Sequence, residues 1–126
     1  MEKKIIRTDN APAPIGPYNQ AVQTGDMLFI SGQIPIDPAT NELVQGDIIA
    51  EAKMVMANLE AILTAAGMDF SNVVKTSIFL MDMGNFGEVN EVYGSYFKEN
   101  APARETVQVS GLPKGVRVEI SMIAAL

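Results

Sequence analysis

The chain contains no histidine and no cysteine. The commonest general base and the softest nucleophile are therefore both missing, and thiolate metal sites and a disulfide framework are excluded with them. Any chemistry falls to Arg, Glu, Tyr, Ser, Thr and backbone groups. Basic residues are scarce: nine Lys and Arg stand against fifteen Asp and Glu, for a net charge of −6, and they form no run. Phosphate neutralisation needs clustered positive charge, so nucleic acid is not an expected partner. No apolar run reaches the roughly 18 residues of a membrane span, so a membrane is not expected either. The opening Met-Glu-Lys-Lys-Ile-Ile-Arg lacks the apolar h-region of a signal peptide. A cytoplasmic location is the expectation, and the lack of cysteine is compatible with it. Repeats, low-complexity segments and linkers are absent. What remains is 126 residues, 48% hydrophobic and 19% charged, read as one globular domain over 1–126.

Periodicity orders that domain. Ile5 and Ile6 begin a short strand, and the three prolines and one glycine between Asn10 and Pro17 make an extended loop. Ala21 to Gln23 and Met27 to Ser31 flank Thr24-Gly25-Asp26 as a hairpin. Gly32 to Asn41, with Pro35 and Pro38, reads as a loop. Asp47 caps a first helix that ends at Gly67. Its apolar positions Ile48, Ala52, Val55, Met56, Leu59, Ile62, Leu63 and Ala66 recur at three- and four-residue spacing, and Glu51, Lys53, Asn58 and Glu60 fall largely elsewhere. Val73 to Met81 reads as a central strand buried on both faces. Asn85 caps a second helix with Glu88 at the capping-box position, and Phe86, Val89, Val92, Tyr93, Tyr96 and Phe97 form its stripe. Two last strands cover Arg104 to Val109 and Val116 to Ala124. Two helices cannot cover both faces of about six strands, so the expected fold is two-layer α+β, a mixed sheet with both helices on one face. A strand as apolar as Val73 to Met81 does not suit open water, so the other face is expected to meet a second subunit of a homo-oligomer.

The last two strands carry the chemistry. Pro102-Ala103-Arg104-Glu105-Thr106-Val107 sets one of three arginines beside a β-branched run, and Glu119 is a carboxylate within Val116 to Ser121. By alternation Val107 and Val109 share one face, with Arg104, Thr106 and Gln108 on the other. Val116, Val118, Ile120 and Met122 oppose Arg117, Glu119 and Ser121. If the apolar faces share the helix side, Arg104, Thr106 and Glu119 point to the helix-free side. Ser110 to Gly115 is either a hairpin loop or a longer crossover.

The residues Ile15-Gly16-Pro17-Tyr18, Ile30-Ser31-Gly32-Gln33-Ile34-Pro35, Val89-Asn90, Pro102-Ala103-Arg104 and Leu112 to Ile120 resemble the RidA (YjgF/YER057c/UK114) family over essentially the whole chain. The resemblance implies a chorismate-mutase-like (bacillus) fold whose last strand inserts between earlier ones. It implies a barrel-like homotrimer with clefts between subunits, and hydrolysis of 2-imino acids or their enamine tautomers to 2-oxo acids and ammonia. Arg104 would bind the substrate carboxylate and Glu119 would orient or activate water. Tyr18, Ser31, Gly32, Asn90 and Thr106 would line the ligand, partly from the neighbouring subunit. Many members carry Cys at the position of Thr106, so thiol chemistry is excluded here, and Glu105 should point away from the site.

Each residue also has a plain structural reading. Arg104 can clamp a carboxylate bidentately or form an internal ion pair. Glu119 can accept a proton from water or pair with a cation on a polar face. Tyr18 can touch a ligand or pack its own loop. Ser31-Gly32, at a strand end, can admit a ligand close to the backbone or simply turn. Asn90 can be a solvated helix position, and Thr106 can serve β-propensity alone. The eight methionines read as core filling. No zinc, calcium, P-loop or dinucleotide motif is present, so no metal and no cofactor is implied. Two other activities stay open: a non-catalytic module that binds 2-oxo acids, and the endoribonuclease or translation-inhibitor activity ascribed to some relatives, which the acidic balance disfavours.

Overall fold

The computed structural model describes residues 2–126. A six-stranded sheet runs in the order β1-β2-β3-β8-β6-β7, built from β1 (Lys4–Ile6), β2 (Ala21–Thr24), β3 (Met27–Gln33), β6 (Val73–Leu80), β7 (Ala103–Gln108) and β8 (Val118–Ala125). Neighbours are antiparallel except β6 and β7. β4 (Ile36–Asp37) and β5 (Glu42–Leu43) form a separate two-stranded ribbon. The expected loop over 32–41 therefore contains the end of β3 and the first strand of this ribbon. Its prolines lie in or beside the ribbon without breaking it, because Pro35 contributes its carbonyl, which accepts from Val44 N at 2.8 Å.

Both helices lie on one face, as chain topology requires. β3 and β6 are each antiparallel to β8, hence parallel to each other, and α1 (Ile48–Ala65) connects them. α2 (Phe86–Gly94) connects β6 to its parallel neighbour β7. Both crossovers step the same way along the sheet, and right-handed connections place both helices on the same side. β8 fills the gap between β3 and β6, so 110–115 is a crossover and not a hairpin loop.

Local chemistry explains the helix ends. The Asp47 carboxylate accepts from Ile49 N at 2.9 Å, and Gly67 sits at φ +73°, the left-handed position that ends many helices. Asn85 makes no side-chain cap to α2. Asp82 instead accepts from Gly84 N at 2.8 Å and starts a 3₁₀ turn that runs into the helix. α2 stops at Gly94, so Tyr96 and Phe97 lie beyond it. There they pack on Phe70 with ring centroids 5.2 and 5.5 Å apart.

The core fills the space between sheet and helices, with Leu28, Ile78, Leu80, Val118, Ile120 and Met122 facing Val55, Met56, Leu59, Ile62 and Leu63. Two polar residues of α1 share that buried face, Glu51 and Asn58. The expected two-sided burial of β6 does not occur within the chain. Thr76, Ile78 and Leu80 are buried, while Lys75, Ser77 and Phe79 are only partly covered on the helix-free face. On that face Ile5, Val22, Phe29 and Ile123 form one apolar row across four strands by register, with Phe29 44% exposed.

Candidate functional site

Arg104 pairs in register with Thr76, and Thr106 with Ile78, both buried on the helix side. Partners in register share a face, so Arg104 and Thr106 point toward α2. Glu119 pairs with Phe79 and points to the helix-free side. The expectation that all three share that side fails for a local reason. β7 is an edge strand whose apolar residue, Val107, faces away from the helices and is 42% exposed. Its Arg104 and Thr106 face inward beneath α2, while Glu105 takes the other face. An apolar face turned inward is a rule for strands covering a core, and β7 lies at the rim of this one.

The Arg104 half-site is built by α2. Asn90 Oδ1 accepts from Arg104 Nη1 at 2.6 Å. The guanidinium carbon lies 5.1 Å from the Tyr93 ring centroid and 5.7 Å from that of Phe86. Asn90 and Tyr93 are one helical turn apart, which brings both over the same point of β7. Tyr93 is buried and its hydroxyl donates to Thr76 Oγ1 at 3.0 Å, while burial pushes its phenol above the ordinary range. No carboxylate lies within ion-pair distance of Arg104 among the described residues. A guanidinium oriented by one amide and two rings, yet left without an anion, is prepared for an external carboxylate. Beside it, Thr106 Oγ1 is buried with no hydrogen-bond partner among the described residues.

The Glu119 half-site is a pocket of about 350 Å³ lined by Ile15, Tyr18, Ser31, Gly32, Ile34, Pro113 and Glu119. Gln20, 3% exposed, anchors the Pro-rich loop above it: its amide donates to the carbonyls of Thr8, Ala11 and Pro12, and its oxygen accepts from Thr8 N at 2.8 Å. Tyr18 folds back on this loop, its hydroxyl accepting from Ile15 N at 3.3 Å, and remains 46% exposed. Ser31 Oγ donates to Asn19 O at 2.6 Å. The β3–β8 register shifts between Ile30 and Gln33, so Ser31 and Gly32 form a bulge at the end of the strand, with only Gln33 after them. The bulge makes room for Glu119. A Cβ at position 32 would overlap the Glu119 Oε2 and stand 2.8 Å from its Cδ. Glycine is needed here for the space of a neighbouring carboxylate.

Glu119 has no hydrogen-bond or ion-pair partner among the described residues, and burial holds its carboxyl above the ordinary carboxylate range. Arg117, two residues before Glu119, pairs instead with Glu51 of α1, donating from Nε at 2.9 Å. Glu105 lies on the helix-free face with Lys75 Nζ at 2.8 Å and a hydrogen bond from Ser77. Those contacts hold its carboxyl below the ordinary range. It points away from Arg104, as alternation predicts.

Tyr18, Ser31, Gly32 and Glu119 thus gather in one half-site, and Asn90, Arg104 and Thr106 in another on the opposite face of the sheet. The sequence reading omits Tyr93 and Phe86 as supports of Arg104, and Ile15, Ile34 and Pro113 as pocket walls. The three-residue spacing of Asn90 and Tyr93 carries the first signal; the walls carry theirs only as members of the motifs that resemble the family. Gly32→Ala should push the Glu119 carboxylate aside and lower kcat for the reaction proposed below about tenfold. Melting temperature should hardly change, because the displaced group is the free end of a flexible chain. A kcat equal to wild type would mean that the placement of the carboxylate is irrelevant.

Among the described residues no helix is long and apolar enough to cross a membrane. The family model described as endoribonuclease L-PSP matches residues 8–126. Protein DfrA of Myxococcus xanthus is 60% identical over 98% of this chain and 96% of its own length. The 2-iminobutanoate/2-iminopropanoate deaminase of Mus musculus is 53% identical over 97% of this chain and 90% of its own. The crystal structure of RidA from the Antarctic bacterium Psychrobacter sp. PAMC 21119 superimposes with a TM-score of 0.94 at 45% identity, covering 98% of this chain and 99% of that one. With the fold, the motifs and the match along nearly its full length in agreement, the chain belongs to the endoribonuclease L-PSP family, the RidA (YjgF) family its motifs resemble.

Proposed function

We propose that the protein is a homotrimer that hydrolyses small 2-imino acids, such as 2-aminoacrylate, 2-iminopropanoate and 2-iminobutanoate, to 2-oxo acids and ammonia at sites between subunits. One observation carries this reading: Arg104, an oriented cation without an anion, and Glu119, a desolvated carboxylate without a cation, occupy opposite faces of one sheet. A second copy, docked against the apolar rows of the helix-free face, would bring one chain's Arg104 to another's Glu119. The deaminase name of the mouse relative favours the same chemistry.

Arg104 clamps the substrate carboxylate and aims C2 at the Glu119 pocket. Glu119 first favours the protonated, more electrophilic iminium, then takes a proton as water adds to C2. The resulting carbinolamine collapses when that proton passes to nitrogen, ammonia leaves and the hydroxyl proton returns to the Glu119 carboxylate as the carbonyl forms, so one water is consumed per 2-oxo acid. Asn90 and Tyr93 hold the clamp, while Tyr18, Ser31, Gly32 and Thr106 line the ligand. Free imines already hydrolyse in water, so positioning and one base suffice without His, Cys, metal or cofactor.

The test is imine loss with imine generated in situ by a PLP-dependent threonine dehydratase and trapped as semicarbazone. Faster loss with the protein supports the deaminase. Binding of 2-oxobutanoate without faster loss would leave a 2-oxo acid-binding module. The inter-subunit site has its own test. Subunits of Arg104→Ala and Glu119→Gln, each inactive alone, should recover about a quarter of wild-type activity when unfolded and refolded together in equal amounts, the share of statistically mixed sites that keep both groups. No recovery in mixed trimers would place both residues in the site of one chain.

A further inference from the structure

α1 carries two buried polar residues that its amphipathic pattern does not require. Asn58 is 1% exposed and Glu51 4% exposed. Seven residues apart, they lie on the same stripe of the helix, about two turns from each other. Asn58 Nδ2 donates to the carbonyls of Ile34 and Ile36 at 3.3 and 2.9 Å, so it grips the segment that leaves the Gly32 bulge and carries the Ile34 wall. Glu51 accepts from Arg117 Nε at 2.9 Å. The Arg117 carbonyl in turn accepts from Met81 N at 3.1 Å, which fixes the entry into β8 two residues before Glu119. The two sides of the Glu119 pocket are thereby tied to one rigid element. Burying an amide and a carboxylate costs desolvation that apolar residues would avoid, even though the Arg117 partner of Glu51 stays part exposed, so their placement at these two points calls for a role beyond packing.

We propose that Asn58 and Glu51 are positioning residues that hold the Gly32 bulge and the start of β8 at the separation that keeps the Glu119 carboxylate lodged against Gly32. The proposal rests on the reading of Glu119 as the group that activates water. The two residues touch no reacting atom and act through the walls they anchor.

Asn58→Ala should lower kcat for imine hydrolysis about tenfold and leave KM within about twofold, because the carboxylate anchor belongs to the other half-site. In the Glu119→Gln background the same substitution should remove no further kcat, since the group it positions is already gone. A second readout needs no turnover. The Glu119 carboxyl, titrated by ¹³C NMR, should move from its raised midpoint toward the ordinary carboxylate value in Asn58→Ala, as the loosened wall admits water. If Asn58→Ala does not fold, the Glu51→Met, Arg117→Met double variant releases the other tie while leaving no charge buried, and the same two shifts are expected. Additive kcat losses with Glu119→Gln, or an unchanged kcat and midpoint in whichever variant folds, would overturn the proposal. A moved midpoint in a protein that accelerates no imine loss would uphold the positioning role and discard the deaminase reading alone.

Discussion

Arg104→Ala should lower kcat/KM for 2-imino acid hydrolysis by about a hundredfold or more, since a charge-assisted hydrogen bond contributes roughly 1.5–3 kcal/mol and a bidentate clamp makes two. The binding of 2-oxobutanoate should fall in parallel, because substrate and product share the carboxylate. The fold should be nearly untouched. Arg104 makes one side-chain hydrogen bond, to Asn90, and stacks on two rings at the sheet edge, so a stability change of about 1 kcal/mol or less is expected. Arg104→Lys tests geometry against charge: it keeps the cation but loses the planar fork, and only a small part of the activity should return. Near-wild-type turnover by the alanine variant, with its oligomer intact, would sink the assignment.

Glu119→Gln should lower kcat about a hundredfold, within the usual range for removing a general base, while binding of 2-oxobutanoate stays close to wild type. The pH dependence separates a base from a ligand contact. The folded-state carboxyl is raised above its ordinary value of 4.5 by burial, so wild-type kcat should fall as pH drops through that raised midpoint, and the glutamine variant should lack this limb. Stability should move the other way. A carboxyl raised in the native state binds its proton more tightly there than in the unfolded chain, so its contribution is fully present below the unfolded value. That contribution is lost as pH rises through the folded one. Glu119→Gln should therefore melt at a higher temperature than wild type at pH 7 and lose that advantage near pH 4. A variant that is less stable at neutral pH would reveal a counter-cation at Glu119. A selective loss of binding would make Glu119 a ligand contact.

The gain in stability and loss of activity in one substitution would mark Glu119 as a group kept for function. Gly32 is kept for the same group, since the carboxylate lodged against it leaves no room for a Cβ.

How much of this was legible in the sequence differs by residue. α1 was legible because Ile48 to Leu63 repeat with the helical period between an Asp cap and a left-handed glycine. The β2–β3 hairpin was legible because Gly25 supplies the positive φ its two-residue turn needs. The two-layer arrangement followed from counting helices against strands, and the motifs around Arg104 and Glu119 carried the family. All of these are local signals, or sums of them.

Three things required the folded chain. Register decided which face each strand shows: alternation separates Arg104 from Val107, but only the parallel pairing of Thr76 with Arg104 says which of the two meets α2. Topology decided which strands β8 enters between, β3 and β6; the family resemblance implied an inserted last strand, but no property of the loop 110–115 itself distinguishes a turn from a crossover. Long-range partners decided that Glu51 and Asn58, polar residues on a helix, are buried, because the carbonyls of Ile34 and Ile36 and the guanidinium of Arg117 satisfy them from distant positions. Amino-acid order by itself determined the elements, the helix ends and the residue types available for chemistry, because these depend on neighbours within a few positions. The division of the site into two half-sites was decided by tertiary structure alone, because which groups meet depends on strand pairing between residues far apart in the chain.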